Sequence, residues 1–495
     1  MQRSRIARSL RPNRAAFLGG AAAALAAPAL ASPLPRRGTG SAPTVVIVGA
    51  GVAGLTCAYR LNQAGIASRV YEASDRIGGR TWTLRDYFAQ GQIAEHGGEL
   101  ISIHQFDVQK LSAELGLTLL NANRVEPGND TYFFNGTRYT VAAARADYFA
   151  HVYDALRAAE RAAGFNTKWN EYTQAGRLLD NMSVQTWIEH NVPDGMRSRI
   201  GQLLAEACTE EYGADPAVQS ALNLVYLLGD QRRGRFDLDG TNEAFVMNGG
   251  IDQIATRLAA ALPSGTIETG AALVAIAERA SGDYLLTFTS GSNTSEVVAD
   301  LVCLAIPFTM LRQVDTSQLP LHPRHRLAIE RLPMGTNAKV HLQFRSRLWN
   351  HERYDGASFV QFAYQNSWDV SAGQAGEYGI LVGFPGGSKG LLDGPAHGPC
   401  PRALAERYLH EFDRVFPGVA AEWTGAAYVD IWARDPWHLG SYSYYGVGDY
   451  TTFAGIEGKR EGRVSFAGEQ TSYENQGYIN GAVVSGERAA REIAA

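Results

Sequence analysis

An α/β (α+β) protein is what this sequence predicts, and three observations carry the prediction. The stretch from Thr44 to Thr81 passes from an apolar, β-branched run through a glycine turn into a helix, then to a second strand that closes on an acid. A continuous apolar run returns at Asp300 to Ile306, the pattern of a strand buried in a parallel sheet, and Val464 to Glu469 reads as a strand ending in a glycine and an acid. Between these pieces lie an alanine- and leucine-rich region at helical spacing and a second strand-rich region. Together they predict a discontinuous Rossmann-like dinucleotide-binding domain, with an inserted mixed-sheet substrate domain and a helical insertion.

Taken in order, residues 1–31 form a targeting segment. Arg3, Arg5, Arg8, Arg11 and Arg14 make its basic region, Ala15 to Ala27 its weakly apolar region, and Ala29-Leu30-Ala31 an A-x-A cleavage site. Export to the periplasm or medium is therefore expected. Arg14-Ala15-Ala16-Phe17-Leu18 resembles a twin-arginine signal lacking its second arginine. No apolar run reaches the ~18 residues of a spanning helix, so no permanent membrane span is expected.

Val45 to Val48 form the first strand, and Gly49, Gly51 and Gly54 supply a G-x-G-x-x-G turn. Such a turn sets a pyrophosphate on a helix N-terminus, where free N–H groups and the helix dipole favour negative charge. Glu72 follows 23 residues after Gly49, where a carboxylate accepts hydrogen bonds from an adenosine ribose. Gly97 and Gly98, just beyond Glu95, predict another turn of close approach. Helical spacing runs from Asp107 to Leu115, and Tyr132 to Tyr139 predicts a hairpin around Asn135-Gly136. Ala142 to Leu228 is the helical insertion. Later come a helix within Val246 to Leu262, strands at Leu285 to Thr289 and Lys339 to Phe344, a helix at Arg402 to Phe416, and a terminal alanine-rich helix. The boundaries are 43–106, 240–330 and 438–495 for the dinucleotide-binding domain, 107–141 and 331–437 for the substrate domain, and 142–239 for the helical insertion.

The chain of 495 residues is too long for one ordinary core. Its net charge of −5 leaves no basic surplus for nucleic acid. Cys57, Cys208, Cys303 and Cys400 are scattered without C-x-x-C spacing, so neither a metal site nor a disulfide framework is expected.

Four ordered motifs resemble the FAD-dependent amine oxidases, which include monoamine, polyamine and L-amino-acid oxidases. They are the glycine turn with Asp75-Arg76-Ile77-Gly78-Gly79-Arg80-Thr81; Asn337-Ala338-Lys339 followed by Phe344 and Trp349; Trp432 with Asp435-Pro436 and Gly440-Ser441-Tyr442; and the terminal FAGEQTS…GYINGAVVSGERAA. The resemblance implies a two-domain flavoprotein with FAD extended across the first domain. It assigns the pyrophosphate to the glycine turn, the adenosine ribose to Glu72, and the inner cofactor to Arg80 with its preceding glycines; Gly97, Gly98 and Glu99 are also expected to bind cofactor. Gly468 and Glu469 are implied at the ribityl and pyrophosphate, with Tyr478 and Ile479 opening a terminal helix aimed at the flavin. Lys339 resembles the family lysine that holds a water against flavin N5. Tyr442 and Tyr478 stand where monoamine oxidases place two tyrosines beside the substrate nitrogen. Ser441 replaces the cysteine that monoamine oxidases bond to the flavin, which implies non-covalent FAD.

The activity implied is oxidative deamination of an L-amino acid, with hydride passing to flavin N5 and 2-oxo acid, ammonia and hydrogen peroxide as products. Substrate and oxygen are the expected partners, with a homodimer left open. GGELIS (97–102), QSALNL (219–224) and MGTNAK (334–339) are most similar to bacterial flavin oxidases often assigned to L-amino acids. Venom-type L-amino-acid oxidases carry an arginine near the position of Gly97-Gly98-Glu99-Leu100, and this chain does not. A carboxylate would then need another arginine, and Arg124, Arg232, Arg233 and Arg312 are not ranked by sequence. Three alternatives stand: an oxidase of carboxylate-free primary amines or polyamines, a flavin dehydrogenase or desaturase, and a flavin-binding protein without catalysis.

Overall fold

The structure, a computed structural model, describes residues 43–122, 128–164, 166–238, 242–352 and 354–495; the targeting segment 1–31 and Arg124 lie outside them. A five-stranded parallel sheet holds Val45–Val48 at its centre, between Leu301–Leu304 and Ser68–Tyr71, with Val464–Phe466 and Ile267–Glu268 at the edges. All four residues of Val45–Val48 are buried, as a parallel strand covered on both faces requires. The helix Val52–Gln63 leaves the glycine turn and packs on the terminal helix Ile479–Ala494. Their closest approach is at Gly486, where a Cβ would stand only 2.3 Å from the Ala53 carbonyl oxygen. A three-stranded antiparallel sheet, Ala272–Glu278, Tyr284–Ser290 and Asn293–Ala299, accompanies this layer.

The second large sheet has eight strands, in the order His397–Pro399, Trp423–Ile431, Ala338–Phe344, Gly379–Gly383, Asn366–Asp369, Tyr354–Val360, Asn129–Phe134 and Thr137–Tyr139. The last two are the expected hairpin. Its turn residues Asn135 (φ 52°) and Gly136 (φ 74°) both take the left-handed conformation that two-residue hairpin turns favour. Strand Ala338–Phe344 is buried throughout, and its two faces differ. Ala338, Val340, Leu342 and Phe344 join the apolar core of this layer, whereas Lys339, His341 and Gln343 point the opposite way.

Six helices make the insertion: Val141–His151, Tyr153–Ala163, Gln174–Asp180, Val184–Asn191, Arg199–Tyr212 and Ala221–Leu228. Thr140, Thr173, Ser183 and Ser198 each accept a backbone N–H from the first turn of the helix that follows. The helix Phe106–Glu114 differs from its sequence grouping. It buries Val108 and Leu111 in the same core as Val45 and Ile47, so it belongs with the parallel sheet. An amphipathic pattern specifies that a face is covered, and not by which sheet. Among the described residues no helix is long and apolar enough to cross a membrane, and all four cysteines are free.

The turn glycines separate into two kinds. A Cβ on Gly54 would stand 2.0 Å from the Gly49 carbonyl oxygen, whereas one on Gly51 would meet nothing within 4 Å. Gly54→Ala should therefore destabilise the apoprotein by about 1–3 kcal/mol through overpacking. Gly51→Ala should leave its melting temperature unchanged and weaken FAD retention alone. Thermal melts of apoprotein and the flavin content of purified protein check both outcomes.

Candidate active site

One cavity of about 520 Å³ runs from the glycine turn to strand Ala338–Phe344. Of the residues singled out from sequence, Gly49, Gly51, Glu72, Arg80, Gly97, Gly98, Glu99, Lys339, Tyr442, Gly468, Glu469, Tyr478 and Ile479 all line it. Gly54 does not; it sits behind the turn, where it lets the helix close on Gly49.

At the outer end Glu72 Oε2 accepts the Ala50 N–H at 2.7 Å, and Oε1 accepts the N–H and hydroxyl of Ser74 at 2.9 and 2.8 Å. The helix Val52–Gln63 begins at Gly51 with no side-chain cap and no acid in its first turn. Its leading N–H groups face a cavity that a Cβ on Gly51 would enter, which fits a pyrophosphate. In the middle, Arg80 Nη1 donates to Glu469 Oε1 at 2.9 Å and to the Ser441 carbonyl at 2.7 Å. Glu469 Oε2 accepts the Ser443 hydroxyl at 2.7 Å and the Gly477 N–H at 2.8 Å. Gly97 and Gly98 allow the Arg80 backbone and Ile479 to approach, since a Cβ on them would lie 2.2 Å from Arg80 O and 3.0 Å from Ile479 Cδ1 respectively. Among the described residues no cysteine lines the cavity, and the Ser441 hydroxyl is engaged with Asn337 Oδ1 at 2.8 Å, so this lining offers no thiol to bond a flavin.

At the inner end Lys339 Nζ donates to Glu99 Oε2 at 2.6 Å and to the Glu95 carbonyl at 3.1 Å, while Trp368 Nε1 donates to Glu99 Oε1 at 3.0 Å. Both charges are buried, and each is the other's counterion. Tyr442 gives its hydroxyl proton to the Glu210 carbonyl at 2.6 Å, and Tyr478 gives its own to the Glu211 carboxylate. Burial raises both phenols well above their ordinary range, so they stay neutral.

Three acids in this chamber were not singled out from sequence. Glu210 and Glu211 come from the last turn of helix Arg199–Tyr212, and Glu243 from a separate loop segment. Burial raises Glu210 well above the carboxylate range and pushes Glu243 up to about 8, with Glu211 adding to both shifts. A signal for the helical pair was present: two acids in the last turn of a helix oppose its dipole. Among the described residues, Arg80 and Lys339 are the only arginine and lysine lining the cavity. Of the arginines considered for a carboxylate, Arg312 caps the carbonyls of Ile329 and Leu332, Arg233 lies over Tyr153, and Arg232 does not line the cavity.

The sequence profile described as flavin containing amine oxidoreductase matches residues 52–494, and the chain belongs to that family. Its cofactor is FAD, held non-covalently. Pig amine oxidase [flavin-containing] B is 25% identical over 473 residues, covering 91% of this chain and 85% of the relative. An L-amino acid dehydrogenase of Synechocystis is 24% identical over 477 residues, covering 90% and 94%. Among solved structures, cyclohexylamine oxidase from Brevibacterium oxydans superposes with TM-score 0.78 at 25% identity, covering 92% of this chain and 99% of that one. Putrescine oxidase bound to putrescine gives TM-score 0.77 at 24% identity, with the same coverage. The α/β architecture expected from sequence thus has its counterpart in solved enzymes.

Two outcomes follow from the buried charges. Lys339→Met leaves Glu99 without its cation and should cost about 3–5 kcal/mol in denaturant unfolding. Adding Glu99→Gln should recover part of that loss. Glu95 is pushed up to about 8 by burial, against hydrogen bonds from Ile251 N–H and Thr83 that pull it down. Its contribution to stability is complete below the ordinary carboxylate range and is lost as pH rises toward 8. The melting temperature of Glu95→Gln should therefore fall less than that of the parent between pH 5 and 8, in melts at fixed ionic strength.

Proposed function

We propose that the enzyme oxidises a primary amine that carries no carboxylate. The observation that supports this most directly is the charge of the inner chamber. Glu99, Glu210, Glu211 and Glu243 line it, Lys339 is committed to Glu99, and Arg80 is committed to Glu469. A substrate carboxylate would enter an acidic chamber in which no free cation among the described residues meets it, a mismatch worth several kcal/mol. An ammonium group meets the reverse.

Bound FAD supplies the two-electron acceptor for oxidation of the amine carbon and passes the electrons on to oxygen. The protein's own residues do the rest. Tyr442 and Tyr478 offer neutral aromatic walls to the nitrogen, with their hydroxyl groups tied back to the Glu210–Glu211 turn. Oxidation requires the amine without its extra proton. Glu243, pushed up to about 8, is suited to hold that proton while the amine is oriented. The Lys339–Glu99 pair and Trp368 close the inner wall against water.

The expectation of an L-amino acid keeps one support, the relative named as an L-amino acid dehydrogenase. Matched pairs separate the readings: isoamylamine against L-leucine, cadaverine against L-lysine, tyramine against L-tyrosine. Anaerobic flavin bleaching should give kcat/KM at least ~100-fold higher for each amine than for its amino acid. Faster bleaching by the amino acids would overturn the assignment. Glu243→Gln should raise KM for the best amine by ~10-fold while leaving flavin content unchanged.

A further inference from the structure

Four buried side chains and the partly buried His397 form a hydrogen-bonded chain beside the cavity. His438 Nδ1 lies 2.7 Å from Asp435 Oδ1, and Asp435 Oδ2 lies 2.9 Å from His397 Nε2. His397 Nδ1 is 2.7 Å from Asp430 Oδ1, and the same oxygen is 2.6 Å from His96 Nδ1. Carboxylates accept and do not donate, so every one of these histidine nitrogens carries its hydrogen. His397, with both nitrogens so placed, is an imidazolium between two aspartates. The side chains are of metal-ligating types, but the four nitrogens that meet the two aspartates are already committed as donors.

The two ends of the chain, His96 and His438, both line the cofactor cavity. His96 stacks on Trp82 at 3.6 Å, and the Arg76 guanidinium lies 4.2 Å from the same ring. His438 is only 8% exposed, and no hydrogen bond to a described residue engages its outer nitrogen, Nε2. That nitrogen stands 3.7 Å from where a Cβ on Gly79 would lie, and this point is 3.4 Å from Gly51 Cα. It therefore looks onto the place where the two glycine turns meet, beside the uncapped start of helix Val52–Gln63. Trp437 N–H donates to Asp435 Oδ1 at 2.8 Å, which fixes the acid that orients the ring.

We propose that His438 is a ligand of the FAD pyrophosphate, donating its Nε2–H as an imidazolium, and that Asp435, His397 and Asp430 are positioning residues that hold it there. Asp435 keeps a hydrogen on Nδ1, so a neutral His438 would turn an Nε2 lone pair toward the phosphate. Contact then requires a second proton. With His438 and His96 neutral, the chain carries one net negative charge, two aspartates against one imidazolium. A proton on His438 cancels that charge next to a dianion.

The groups that act on His438 are Asp435 on its own loop, Arg80 and Arg76 from the segment after Ser68–Tyr71, and the phosphate itself. Without phosphate, burial and the two arginines hold His438 below the ordinary histidine range despite Asp435. FAD binding should therefore take up a proton near neutral pH, and affinity should fall as pH rises.

The test uses apoprotein and flavin-fluorescence titrations from pH 6 to 9. The parent should bind FAD more weakly as pH rises, approaching tenfold per pH unit at its steepest. His438→Gln should weaken FAD by ~10- to 100-fold at pH 6 and remove the pH dependence, while leaving riboflavin, which has no phosphate, unaffected. Asp435→Asn should weaken FAD in the same direction. An unchanged FAD affinity in His438→Gln, or an equal loss for riboflavin, would overturn the assignment. Where the variants do not fold, calorimetry of the parent in two buffers of different ionisation heat measures the proton uptake directly, and no uptake between pH 6 and 8 would overturn it equally.

Discussion

The buried carboxylate of Glu469 is the constraint on which the cofactor cradle depends. It draws Arg80, 389 positions away, onto the same side chain as the nearer Ser443 and Gly477. A carboxylate taken out of water must be fully paired, and once paired it resists any displacement of its partners. The turn carrying Arg80, the strand Val464–Phe466 and the start of the terminal helix are thereby held in one register. Gly97 and Gly98 close against the same assembly because they lack side chains. The discontinuity of the chain thus places the wall of the cavity where the segment around Arg80 meets the C-terminal piece.

The inner chamber follows a different rule. Strand Ala338–Phe344 sends one face into the apolar core and the other toward the cavity, so Lys339 is buried by the strand's alternation. Its charge is offset by Glu99, which comes from the loop held by the glycine pair. This ion pair neutralises the end wall and leaves the remaining acids to set the sign of the chamber. Tyr442 and Tyr478 are tethered to the same helix end that supplies Glu210 and Glu211, so the aromatic walls and the charge move together.

Local signals were legible in the sequence and convergent ones were not. The glycine turn, Glu72, the buried strands and the terminal helix each declare themselves within a few residues, through periodicity or an obligatory conformation. Glu469 and Lys339 were recognisable by motif, yet their partners across the fold were not. Glu210, Glu211 and Glu243 converge from a helix end and a loop segment about thirty residues apart, and nothing in either segment states that they share a chamber. The His–Asp chain is similar: nothing local marks His96, because Asp430 lies 334 positions away. The register that pairs His397 with Asp430 exists only once the sheet has formed.

The acids at the end of helix Arg199–Tyr212 are costly where they stand. A helix C-terminus already carries partial negative charge, and burial removes the water that would otherwise screen it. Burial and the neighbouring acids answer by raising Glu210 and Glu243 toward their protonated forms. An incoming ammonium changes that balance, because it lets the carboxylates ionise against a counterion and takes the charge that the helix end disfavours alone. A carboxylate offers the same acids no counterion. An acidic cluster that is unstable alone and relieved by a cation selects by the sign of charge before any contact of shape is made, and the neutral Lys339–Glu99 wall behind it does not compete for the ligand.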